Sequence, residues 1–143
     1  MRKTFTCILL FFCINLFFIS QNIEAANDTI KVLDIETSTV IKEVPTSSDI
    51  DGDVKEAIKS ITQVTVQAKP VPKKGYLIKI PLTKSLKVKN KWFDDIVSEV
   101  LLLYNPSTKR QGKIILYNDE NTPLFFDIDY DFSPLLKKIN LQE

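Results

Sequence analysis

The sequence predicts an α+β fold: a mainly antiparallel β-sheet with two short helices, preceded by a cleaved signal peptide. Three observations carry that expectation. Residues 2–26 have the order of an export signal, several short runs alternate apolar with polar side chains, and apolar residues fall at helical spacing around Val54 and Leu135.

The export signal comes first in the chain. Arg2 and Lys3 form a basic start, residues Phe5 to Ile19 are almost unbroken apolar, and Ala25 and Ala26 supply small residues at the exit. Cleavage is expected after Ala25 or Ala26, which places the protein in a secreted or extracytoplasmic compartment. A membrane-spanning helix needs about 20 apolar residues, and this run is shorter and interrupted by Asn15. An uncleaved N-terminal anchor is the alternative. Cys7 and Cys13 lie inside the apolar run, so a lipid-anchored cysteine at the cut is not expected.

A cut after Ala26 leaves 117 residues, enough for one domain with its own core. Both cysteines leave with the signal and the chain has no histidine. The mature chain therefore cannot form a disulfide, and it lacks the thiolate and imidazole ligands that zinc and copper prefer. An exported domain without disulfides suits a bacterium better than a eukaryote. The mature chain carries 17 basic and 17 acidic residues. Without a basic excess to displace counterions from phosphates, nucleic acid is not an expected partner. No cofactor is expected, nor any membrane insertion once the signal is removed.

The mature chain divides into an aromatic-poor segment, residues 27–75, and a β-rich core with a terminal helix, residues 76–143. All nine mature aromatic residues lie at or after Tyr76, so the second part is expected to supply most of the core. Lys69-Pro70-Val71-Pro72-Lys73-Lys74-Gly75 marks the border as a turn or short linker. In the first part, residues 30–44 are rich in Ile, Val and Thr and read as one or two strands. Val54, Ala57, Ile58 and Ile61 share one helical face, with Asp53 and Glu56 as a capping pair, which predicts a helix over 53–61. Val64, Val66 and Ala68 alternate as a strand does.

In the second part, Tyr76, Ile78, Ile80 and Leu82 share one strand face, and Pro81 points to an edge or strand end. Leu86, Val88 and Trp92 form the inner face of a next strand, with Lys87, Lys89 and Lys91 outward. The stretch 93–104 fits a helix or a strand. The echo of Leu101-Leu102-Leu103-Tyr104-Asn105 in Ile114-Ile115-Leu116-Tyr117-Asn118 favours a strand, each copy feeding a turn. A strand over 124–132 follows. Ser133-Pro134 then gives an N-cap with proline at the first helical position, opening a terminal helix with Leu135, Leu136 and Ile139.

Catalytic signatures are sparse. No Ser precedes a Lys by three residues, and Gly52, Gly75 and Gly112 are too far apart for a phosphate-cradling loop or a nucleophile elbow. No catalytic residue is assigned. Asp49-Ile50-Asp51-Gly52-Asp53 opens like a calcium loop, but the sixth and twelfth positions are Val54 and Ser60, where the loop needs Gly and Glu. Asp127, Asp129 and Asp131 alternate along one strand, about 6.7 Å apart at each step. That spacing is too wide for three carboxylates to surround one ion, and no metal site is expected. Cross-strand pairing of these acids with Lys87, Lys89 and Lys91 would set the sheet register.

The binding candidates are Asp127, Asp129, Asp131 and Trp92. The leading expectation is a non-catalytic exported module for a protein or a cell-envelope component, with residues 27–45 as an arm. An inhibitor or pro-region-like chaperone of an exported protease, presenting residues 135–143, is an alternative. A carboxylate-dependent hydrolase of extracellular polymer is another, and the sequence leaves the oligomeric state open.

Overall fold

Alternating residues form strands here because each strand buries one face and leaves the other to water. A computed structural model describes residues 29–141; the expected signal peptide, residues 1–26, lies outside them. The strands are β1 (Thr29–Asp34), β2 (Thr39–Pro45), β3 (Ile61–Val64), β4 (Tyr76–Lys89), β5 (Asp94–Tyr104), β6 (Gln111–Tyr117) and β7 (Pro123–Asp129). They make one sheet in the order β2-β1-β4-β5-β6-β7-β3, and every pair is antiparallel. Two helices, α1 (Ser48–Lys59) and α2 (Ser133–Lys138), complete the α+β fold. Among the described residues no helix is long and apolar enough to cross a membrane.

The core lies between the helices and one face of the sheet. Ile30 and Val32 of β1, Ile78 and Ile80 of β4, Leu102 of β5, Ile114 and Leu116 of β6 and Phe126 of β7 point into it. From the helices come Ile50, Val54, Ala57, Ile58, Leu135 and Leu136. Phe93 meets Phe126 edge-on at 6.2 Å, and Phe132 packs between Tyr104 at 4.8 Å and Tyr130 at 5.1 Å. Such pairs fix ring geometry as well as burying area.

Several expectations need correction. The arm reading fails from Thr29 onward, because β1 sits between β2 and β4 with Ile30 and Val32 fully buried. The two strands expected over 76–92 are one long strand. Leu82 to Ser85 bulge out opposite a single β5 residue, Ser98, which bends β4. Pro81 stands beside that bulge in an interior strand and not at an edge. A proline without a donor is tolerated there because the ladder is already interrupted. Trp92 lies beyond the strand end, half-buried in the turn to β5.

Helix α1 begins at Ser48, five residues earlier than the capping-pair argument allows. Asp53 is therefore no cap; it forms an ion pair with Lys138 at 2.8 Å. Ile50 extends the apolar stripe one turn back from Val54, and Gly52 faces open space. The third strand spans 61–64, with Val66 almost wholly exposed beyond it. Of the tail from Leu135 invoked for protease inhibition, the side chains of Leu135, Leu136 and Ile139 are buried in the core while Lys137 and Lys138 are exposed. The strand favoured over a helix within 93–104 forms as β5, starting at Asp94, and its echo in β6 lies directly beside it, Leu102 opposite Ile114.

Gly112 is required by packing. A Cβ there would stand 2.6 Å from the Phe132 ring and 2.7 Å from the Leu103 carbonyl oxygen. Gly112→Ala is expected to cost about 1–3 kcal/mol through overpacking. Gly52→Ala, in an open helical position, is expected to gain about 0.5–1 kcal/mol. Urea melts of the two variants check the opposite signs. Amide exchange offers a second check: β1 amides are expected to exchange as slowly as those of β4, and early exchange over 29–34 would contradict the interior position of β1.

Candidate functional site

The four candidate residues fall in three places. Asp127 and Asp129 lie on the sheet face away from the helices, Asp131 lies at the start of α2, and Trp92 lies at the far end of the β4–β5 hairpin. The expected charge ladder does not form. β4 and β7 are separated by β5 and β6, so the lysine and aspartate stripes never meet. Lys87 and Lys89 pair with Asp94 across the hairpin instead, at 2.6 and 3.8 Å.

Asp127 is the hub of a polar network on the outer face. The chain must pass from β3 at one edge to β4 in the middle, and residues 65–75 cross the outer face to do so. The groove beneath that crossing holds about 820 Å³, between Gln67, Pro70 and Pro72 above and Leu103, Lys113 and Asp127 below. The Asp127 carboxylate accepts hydrogen bonds from Lys113 Nζ at 2.6 Å, Gln63 Nε2 at 2.8 Å and Thr65 Oγ1 at 2.8 Å. Partial burial works against its charge, but these three donors outweigh it and hold the carboxyl below the usual aspartate range. Asp129 pairs with Arg110 at 2.9 Å.

Asp131 has a structural role. Its Oδ1 accepts the Ser133 N–H at 3.0 Å, which fixes the entry into α2. Hydrogen bonds from the Ser133 side chain and backbone hold its carboxyl below the ordinary value. Among the described residues, no group of three or more acidic, cysteine or histidine side chains is placed to hold a metal ion.

Trp92 belongs to a different kind of site. Asn90 builds the turn that carries it: its Oδ1 accepts the N–H of Trp92 at 2.8 Å and of Phe93 at 2.9 Å. An asparagine side chain mimics a backbone turn in this way. Phe93 then plugs into the core, which leaves Lys91 and Trp92 projecting beside the end of α1. The two form a cation–π pair, with Lys91 Nζ 4.0 Å from the ring centroid.

A groove of about 370 Å³ opens between this turn, the late part of β4 and the last turns of α1. Ile58, Ile61, Leu86, Val88 and Trp92 give it an apolar floor. Five lysines line it, namely Lys55, Lys59, Lys87, Lys89 and Lys91, and no carboxylate does. Lys59 has a partner in Glu56 at 2.7 Å, outside the lining. Lys55 and Lys91 have no carboxylate partner among the described residues.

Sequence reasoning reached Trp92 and the outward lysines of β4 but missed Lys55 and Lys59. Their i,i+4 spacing around Ile58 was the available signal. The partners of Asp127 come from three other strands or loops and left no local trace. No protein-family model matches the chain, and no curated protein or solved structure is similar to it at a meaningful level.

The Asp127 network sets a pH dependence. A carboxyl held lower in the folded than in the unfolded state stabilises the fold above its unfolded pKa of about 3.9, and that contribution is lost as pH falls through the folded value. Asp127→Asn is expected to cost about 1–3 kcal/mol at pH 7, because it leaves Lys113 without its counter-ion. The gap between variant and wild type should shrink as pH falls from about 5 to 2. Urea melts at both ends of that range check the trend.

Proposed function

We propose that this chain is a small exported, non-catalytic binding module that holds a protein or cell-envelope component at the groove beside Trp92. The observation that carries the reading is the composition of that groove: an apolar floor, five lysines and no carboxylate in the lining, in a chain whose residues after the signal carry no net charge. Concave, mostly apolar sites with a few placed charges are where ligands gain most from desolvation. The export signal over residues 2–26, cut after Ala25 or Ala26, places that encounter outside the cytoplasm, in a bacterial envelope or its surroundings.

The state of the carboxylates supports a binding role over hydrolysis. A glycoside hydrolase needs one carboxyl with a raised pKa to protonate its leaving group. Asp127 is held in the opposite direction, and both Asp127 and Asp129 are engaged by cations.

Sedimentation with the envelope fraction of the producing organism tests the reading. The wild-type protein is expected to pellet with the fraction. Trp92→Ala and Lys55→Glu/Lys91→Glu are each expected to weaken binding by about tenfold, or about 1.4 kcal/mol. Lys109→Glu/Lys137→Glu, at surface lysines away from the groove, should behave as wild type. Equal pelleting of all four proteins would remove the groove from the function.

A further inference from the structure

We infer that the occupant of the Trp92 groove is a single anionic amphiphile, an apolar chain ending in a phosphate or carboxylate; the inference rests on the binding reading above. Floor and rim select different chemistry. Ile58, Ile61, Leu86 and Trp92 offer no hydrogen-bonding surface beyond the indole N–H, so an apolar chain is the group that gains from entering. Every charged group of the rim is an ammonium, with Asn90 the one uncharged polar side chain beside them, so it favours a negative head group and opposes a positive one. Lysine ammonium groups are mobile point charges with three donors each, which suits a phosphate or carboxylate in many orientations. Lys55 and Lys91 are free to meet it without breaking an ion pair, since neither has a carboxylate partner among the described residues.

Size decides between an amphiphile and a larger partner. The groove is open to solvent and holds about 370 Å³, room for one apolar chain or a few side chains but not for a whole helix about 10–12 Å across. A recess between a helix end and a hairpin turn is also a poor fit to a flat bilayer. A single chain lying on the apolar floor, with its head group at the rim, matches the lining and the charge.

The chain contains one tryptophan, so the site carries its own reporter. The exported protein is titrated with dodecyl phosphate and with dodecanoate, each below its micelle concentration, and Trp92 emission is followed. A saturable change is expected for both, weakening by about tenfold in Lys55→Glu/Lys91→Glu and in the milder Lys55→Gln/Lys91→Gln. Thermal unfolding of both variants confirms that they are folded. Dodecyl maltoside and dodecyltrimethylammonium are expected to bind at least about tenfold more weakly than the anionic chains.

Equal binding of the neutral chain would overturn the charge argument. A response only to phosphatidylglycerol vesicles, or only to an acidic peptide rich in Glu and Leu, would overturn the amphiphile in favour of a bilayer or a protein partner. If no amphiphile binds while Lys55→Glu/Lys91→Glu still abolishes sedimentation with the envelope fraction, the inference falls and the binding-module reading stands. If both experiments are negative, both fall.

Discussion

The pairing of β4 with β5 is the constraint on which the rest of the structure depends. These are the two longest strands, and they run side by side through the middle of the sheet from Tyr76 opposite Tyr104 to Lys89 opposite Asp94. Everything else is added to one flank or the other: β1 and then β2 beside β4, and β6, β7 and β3 beside β5. The bulge from Leu82 to Ser85 bends the hairpin towards α1, where Thr83 donates backbone and side-chain hydrogen bonds to Asp51. Thr46 adds a bond to the Pro81 carbonyl at 2.8 Å, so the loop before α1 is tied to the same bend. The far end of the hairpin is thereby held against the end of α1, and the groove beside Trp92 is the gap left between them.

The sequence was a good guide wherever a single face was buried. Ile78 and Ile80, Val54 to Ile58, and Leu135 to Ile139 all sit where their spacing put them, because period and burial agree. It was a poor guide where tertiary partners overruled local preference. The aromatic-free stretch 30–44 looked dispensable, yet two fully buried β-branched residues, Ile30 and Val32, are enough to make β1 an interior strand. Residues 48–52 fell outside the helix expected over 53–61, and Gly and acidic residues do disfavour a helix interior. The Asp51–Thr83 bonds and the burial of Ile50 are long-range facts that override that preference. The lysine and aspartate stripes shared a period, but period alone says nothing about which strands are neighbours.

The two sheet faces solve the burial problem differently. The inner face is covered by helices and is apolar through its middle, with Lys42 at the β2 edge donating to the Asn140 carbonyl. The outer face mixes buried Leu103 and Ile115 with the Lys113–Asp127 pair, partly covered by the proline-containing crossing from β3 to β4. A charged pair in a partly desolvated position is tolerable only when its remaining hydrogen-bonding capacity is met, and Gln63 and Thr65 meet it for Asp127. Gln63 lies in β3 and Thr65 at the start of the crossing. The network therefore ties the edge strand β3 and the departing chain to the sheet, which a purely apolar contact would do without fixing direction.

That division separates what holds the protein together from what it presents. The carboxylates singled out by sequence are absorbed by structure: Asp127 anchors the crossing, Asp129 is paired, and Asp131 sets the entry to α2. The groove lysines are of the opposite kind. Lys59, Lys87 and Lys89 have side chains more than half exposed, where ion pairs add little to stability. Lys55 and Lys91 have no carboxylate partner at all among the described residues. Three of the five groove lysines are offset by Glu56 and Asp94, and Lys55 and Lys91 are left with no such compensation from the fold. Exposed lysines gathered around apolar surface, two of them without a carboxylate partner, are best explained by something that arrives from outside to meet them.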